Sequence, residues 1–136
     1  MFDLNSLKGK VLIAVSSSHI HEKVHQAWQD KSNEGFLICY EITLEFEDGK
    51  TYLIKPCEVD AIGYYPSLGL SIEPVERIEL LYPFNISKLP SRICDIVESD
   101  HLGEDAVNQF TLTFNDGKDF VIRHVYPPMT MGIRVG

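Results

Sequence analysis

Residues 42–54, Ile-Thr-Leu-Glu-Phe-Glu-Asp-Gly-Lys-Thr-Tyr-Leu-Ile, recur at 110–122 as Phe-Thr-Leu-Thr-Phe-Asn-Asp-Gly-Lys-Asp-Phe-Val-Ile. Aligned without a gap, seven of the thirteen positions are identical. Both stretches read as β-hairpins. Ile38, Tyr40, Ile42, Leu44 and Phe46 alternate with Cys39, Glu41, Thr43, Glu45 and Glu47, the period of a strand with one buried face. The Asp-Gly that follows supplies the turn, because glycine reaches positive φ without penalty. A two-residue loop would set Leu44 opposite Leu53 and leave Tyr52 and Ile54 facing Glu45 and Thr43. A three-residue loop, Glu47-Asp48-Gly49, pairs Leu44 with Tyr52 and Ile42 with Ile54. The second register gathers the apolar residues on one face, and that requirement selects it. The same loop in the second copy pairs Leu112 with Phe120 and Phe110 with Ile122.

Outward from the hairpins, the same order of elements repeats. Ahead of the first hairpin, Val11 to Val15 is an apolar run that predicts a buried strand. Ser18 caps a helix to about Asp30, with Ile20, Val24, Ala27 and Trp28 at helical spacing. Ahead of the second hairpin, Val75 to Tyr82 reads as a strand. Ser87 to Ser99 reads as a helix, with Pro90 in its first turn and Ile93, Ile96 and Val97 on one face. Residues 65–72 and 126–133 give the closing strands, matching at Tyr, Pro and Ile. The offset is 68 residues at the hairpins (Ile42 to Phe110) and 61 at these strands (Ile72 to Ile133), which places seven extra residues around Glu58 to Tyr64. The expected fold is therefore α+β. It has two pseudo-symmetric strand–helix–β-hairpin–strand units, roughly 9–73 and 74–136, forming a mainly antiparallel sheet with two helices in a single domain of 136 residues.

Net charge is −8, from 20 acidic and 12 basic residues. That argues against a nucleic-acid or anionic-membrane binder, which needs a positive field, and fits a basic protein partner. Three cysteines without a CxxC spacing suit a reducing compartment, and no basic, apolar leader opens the chain. The expected location is the cytoplasm.

One stretch carries a catalytic pattern. His21-Glu22-Lys23-Val24-His25 fits H-E-x-x-H. On a helix, His21 and His25 stand one turn apart and could share a zinc ion, with Glu22 polarising a bound water. Over these five residues the chain resembles the zincin metallopeptidases, and the resemblance implies a zinc-dependent hydrolase. Glu34, Glu41 and Glu45 lie at possible distances for a third ligand, and His19 could complete a non-catalytic metal site. The other reading is an amphipathic helix whose histidines face solvent while Trp28 anchors the core.

Glu41, Glu45 and Glu47 are acidic where the second copy has neutral Gln109, Thr113 and Asn115. That asymmetry marks a face for a basic partner, or charges that deter edge pairing. The sequence thus predicts a small acidic binding or inhibitory protein of the immunity type, not an enzyme, needing no cofactor. The alternatives are the zinc hydrolase and a small-ligand binder with its pocket between the two halves, lined by Tyr64, Tyr65 and Tyr126.

Overall fold

The computed structural model describes residues 3–17, 35–59, 66–76, 82–83, 89–125 and 129–135. After a short 3-10 helix at Leu4–Leu7 come ten strands. They are β1 (Val11–Ser17), β2 (Leu37–Cys39), β3 (Ile42–Phe46), β4 (Thr51–Val59) and β5 (Ser67–Val75), then β6 (Tyr82–Pro83), β7 (Ser91–Ser99), β8 (Gln109–Phe114), β9 (Asp119–Val125) and β10 (Thr130–Val135). All pairings are antiparallel, and the hydrogen-bonded order is β2-β10-β9-β8-β7-β1-β3-β4-β5, with β6 beside β1.

The described residues contain no α-helix, so the α+β expectation is overturned. The helix read into Ser87–Ser99 is strand β7 over Ser91–Ser99, and the reason lies in a β-bulge. Ile93 pairs with Phe114 but Asp95, not Cys94, pairs with Thr113. One extra residue resets the alternation. Buried positions then fall at Ser91, Ile93 and Ile96, a spacing that imitates one face of a helix. The β-branched Ile93, Ile96 and Val97 suit the pleated surface they occupy. The first expected helix, residues 18–30, lies outside the described residues.

The hairpin registers are those the apolar pattern requires: Ile42 opposite Ile54, Leu44 opposite Tyr52, Phe110 opposite Ile122 and Leu112 opposite Phe120. The two turns share their geometry. Gly49 and Gly117 both sit at φ 84°. Each donates to the phenylalanine three residues back, and the Lys50 and Lys118 amides donate to Asp48 and Asp116 at 2.9 Å. The likeness extends beyond the hairpins. β1 carries a bulge between Leu12 and Ala14, as β7 does between Ile93 and Asp95, and in both the residue before the bulge faces a phenylalanine. Ile54 pairs with Ile72 as Ile122 pairs with Ile133, at the offsets of 68 and 61 read from the sequence.

The two units are joined by their edges. The expected continuous strand from Ile38 is broken at Tyr40–Glu41. Leu37–Cys39 leaves the first hairpin and pairs instead with β10, Cys39 opposite Met131. The corresponding residue of the second unit, 68 positions on, is Val107, and its carbonyl accepts from the Leu70 amide of β5 at 3.0 Å. Each unit's leading segment thus covers the other's last strand, and the sheet closes on itself around one core. Leu12, Ile42, Leu44, Phe46, Ile54, Ile93, Leu112, Phe120, Ile122 and Ile133 are fully buried within it. Gly132 lets Phe36 lie flat on β10, since a Cβ there would stand 3.2 Å from the ring. Arg123 and Arg134 then stack on that ring at 4.3 and 4.7 Å from its centre, cation–π contacts that hold the start of β2 in place.

Because a Cβ at Gly49 or Gly117 would meet nothing within 4 Å, replacement there costs conformational strain alone. Gly49→Ala and Gly117→Ala are each expected to lower stability by about 1–2 kcal/mol in urea denaturation, by closely matching amounts. Losses differing severalfold would mean that the two turns do not bear equivalent strain.

Candidate functional site

Where the two units meet at β5, a polar network fastens the closure. The Asp100 carboxylate accepts from the Glu104 amide at 3.0 Å, the Asp105 amide at 2.8 Å and Asn108 Nδ2 at 2.6 Å. Led by the Glu104 amide, these donors hold its pKa at about 2. Asn108 is fully buried, and its Oδ1 accepts from the His101 amide. His101 Nε2 donates to the His124 carbonyl at 2.7 Å. His124, also fully buried, donates from Nδ1 to the Gly69 carbonyl at 2.8 Å and accepts at Nε2 from the Met129 amide at 2.9 Å. One donor and one acceptor on the ring fix it as the neutral Nδ1–H tautomer. Burial lowers the pKa of both histidines, in each case against a backbone carbonyl that pulls the other way. Both Asp100 oxygens, the Asn108 amide group and both His124 ring nitrogens are thereby committed to structure.

Beside the network lies a cavity of about 410 Å³ between β5 and the second unit. Its walls are mostly apolar: Leu4, Val59, Leu70, Ile72, Val107 and Phe110, with Ser71, Glu98 and Asp105 as polar members. β7 alternation places Glu98 on the side of buried Ile96, directly across from Phe110. Asp105 sits at φ 60°, a conformation unusual for a side chain larger than glycine. The two halves diverge here. At the offset of 68, Asp105, Ala106 and Val107 correspond to Leu37, Ile38 and Cys39. Ile38 and Cys39 are fully buried, and Leu37 packs against the core. Where one unit fills its edge with leucine and isoleucine, the other has aspartate and alanine and leaves a space.

The charged residues that line the cavity, Glu98 and Asp105, are of one sign. Between Ile93 and Gly117 stand Asp95, Glu98, Asp100, Glu104, Asp105 and Asp116, without a lysine or arginine. The stretch from Pro56 to Glu76, which supplies the opposite wall, likewise has acidic residues and no lysine or arginine.

The residues singled out from sequence fare unevenly. His21, Glu22, His25 and Glu34 lie outside the described residues, as do Tyr64, Tyr65 and Tyr126. Among the described residues no group of three or more His, Cys, Asp or Glu side chains could hold a metal ion. Glu41 and Glu45 are half-buried, and Glu45 is flanked by Ala14 of β1 and Thr51 of β4. Glu47 is exposed in the turn. The three are strung over about 20 Å of strand, at roughly 3.3 Å per residue. Burial pushes the Cys39 thiol up to about 12, and it raises Cys57 as well, so neither is an activated nucleophile. No described helix is long and apolar enough to cross a membrane. A pocket between the two halves is among the sequence expectations, but none of these walls is, although comparing Asp-Ala-Val with Leu-Ile-Cys at the known offset signals them.

No family model, curated protein or solved structure matches this chain.

Both network histidines titrate below 6.5 in the fold. The unfolded chain therefore takes up protons first as pH falls. Their contribution is complete above pH 6.5 and is lost as pH drops through the lowered values. Urea midpoints are expected to be lower at pH 5.5 than at 7.5. His124→Asn should cost about 1–3 kcal/mol at pH 7.5 and flatten that pH dependence; an unchanged slope would remove His124 from the account.

Proposed function

We propose that this protein is a non-enzymatic binding protein that takes a small ligand with an apolar body in the cavity between its two halves, halves we read as copies of one ancestral unit. One observation carries the reading. At the equivalent position of the second edge Ile38 and Cys39 are fully buried and Leu37 packs against the core, whereas the edge at Asp105–Val107 borders a cavity of about 410 Å³. A volume of this size lies within the range of roughly 300–1,000 Å³ typical of small-ligand sites, and mostly apolar walls with a few polar groups are their usual lining. Beside the cavity, Asp100, His101 and His124 are held by backbone partners, which supports binding over catalysis. The unpaired thiols of Cys39, Cys57 and Cys94 favour the cytoplasm.

A second reading, an acidic inhibitor that neutralises a basic protein, is favoured by the run of six acids without a base between Ile93 and Gly117. It requires a one-to-one complex that weakens with salt. Asp95→Lys with Asp116→Lys should weaken that complex further, and an affinity indifferent to both removes the reading.

The cavity reading is tested by giving the second edge the residue of the first. Ala106→Ile is expected to raise stability by about 0.5–1.5 kcal/mol by filling the space. It should also abolish binding of 1-hexanol, followed by backbone amide shifts at Val59, Leu70 and Val107. Undiminished hexanol binding by the variant would place the ligand elsewhere.

A further inference from the structure

We infer that the ligand of this cavity is a small organic cation: a hydrocarbon or aromatic body bearing one ammonium or guanidinium group. The inference rests on the cavity being the binding site, and adds the charge of what enters it. The apolar walls of Leu4, Leu70, Ile72 and Phe110 favour a body without polar atoms. The charged groups that line the space are two carboxylates, Glu98 and Asp105. Among the described residues no hydrogen bond or ion pair engages either carboxylate.

Asp100, by contrast, spends its oxygens on the amides of its own loop and on Asn108, so it is no ligand group. It acts on Asp105 instead: the Asp105 amide donates to Asp100 Oδ2 at 2.8 Å and helps hold that residue at φ 60°. The carboxylate at the rim is thus set by the same network that closes the sheet. Glu98 approaches from β7, across from Phe110.

An anionic ligand would meet these two groups with no lysine or arginine among the lining residues to offset them. A cation would find its charge partners at the rim of an apolar surface. The filled counterpart has the opposite character. The residue matching Glu98 across the bulged strands is Ser17, fully buried and paired with Ile42 as Glu98 is paired with Phe110. Carboxylates stand where this edge is open, and apolar or small groups stand where the other edge is closed.

The experiment compares three probes with one six-carbon body: hexylammonium, hexanoate and 1-hexanol, each titrated into the full chain and followed by amide and methyl shifts. Hexylammonium is expected to bind at least about tenfold more tightly than hexanoate, with shifts centred on Val59, Leu70, Val107 and Phe110. The double variant Glu98→Gln, Asp105→Asn changes two exposed side chains, and asparagine tolerates the φ at position 105. It should weaken hexylammonium about tenfold and leave hexanol unchanged. Equal affinity for the two charged probes, or loss of hexanol binding in the double variant, would overturn the cation assignment while leaving an apolar binding site. Failure of all three probes to shift the cavity would remove the site itself. A Lys-Leu-Lys peptide that outcompetes hexylammonium at the same residues would also overturn the assignment, making the occupant a side chain of a basic protein.

Discussion

A strand at the edge of a sheet presents backbone amides and carbonyls that need partners, and this fold is arranged around meeting that need twice. β5 and β10 would each be an open edge if either four-stranded unit stood alone. Instead the segment leading into each hairpin crosses to the other unit, Leu37–Cys39 onto β10 and the Val107 region onto β5. The crossing brings the two apolar faces together and so creates the core. It also dictates the local chemistry that secures each crossing. Phe36 is clasped by Arg123 and Arg134 over Gly132 on one side. On the other, His124, Asn108 and Asp100 form a chain of hydrogen bonds ending at Gly69.

What the sequence disclosed follows from which interactions are local. The hairpins were legible to the residue, because turn chemistry and alternation both act within a dozen positions of Asp48 and Asp116. The order and offset of the closing strands were legible too, since Ile72 and Ile133 keep their places relative to the hairpins. β7 was misread because its bulge at Cys94–Asp95 displaces the alternation by one and leaves apolar residues three and four apart. No rule of periodicity distinguishes that from a helix face unless the bulge is known. The break at Tyr40–Glu41 was invisible for a different reason. Leu37–Cys39 continues a sound strand pattern, and what removes it from the first hairpin is a pairing with Met131, some ninety positions away. A pocket between the halves was anticipated, but its walls belong to the same class: they depend on a departure from likeness between the units, which is seen only once the crossing segments are recognised as equivalent.

That departure is where a functional reading gains its footing. Two units with matching registers and turns differ in how they finish their shared boundary, one with packed leucine and isoleucine, the other with aspartate, alanine and open space. Packing alone would favour filling both, because an unfilled apolar space forfeits dispersion contacts on every wall. The network beside it tells the same story from the polar side. Asn108 and His124 are buried yet hydrogen-bonded, so the network secures the closure without drawing on the Glu98 and Asp105 carboxylates.

The crossing of the leading segments also has a kinetic side. Cys39 must find Met131, and Leu70 must find Val107, before either sheet has its full set of backbone bonds. Neither hairpin, although locally well specified, can lower its free energy far until the chain between them has been threaded into place. Folding is therefore expected to be slow for a chain of this length, with loop-closure entropy paid early and most of the burial returned late. During that interval both β5 and β10 are bare. The net charge of −8 then opposes the approach of two such half-formed molecules, each with bare edges the other could complete.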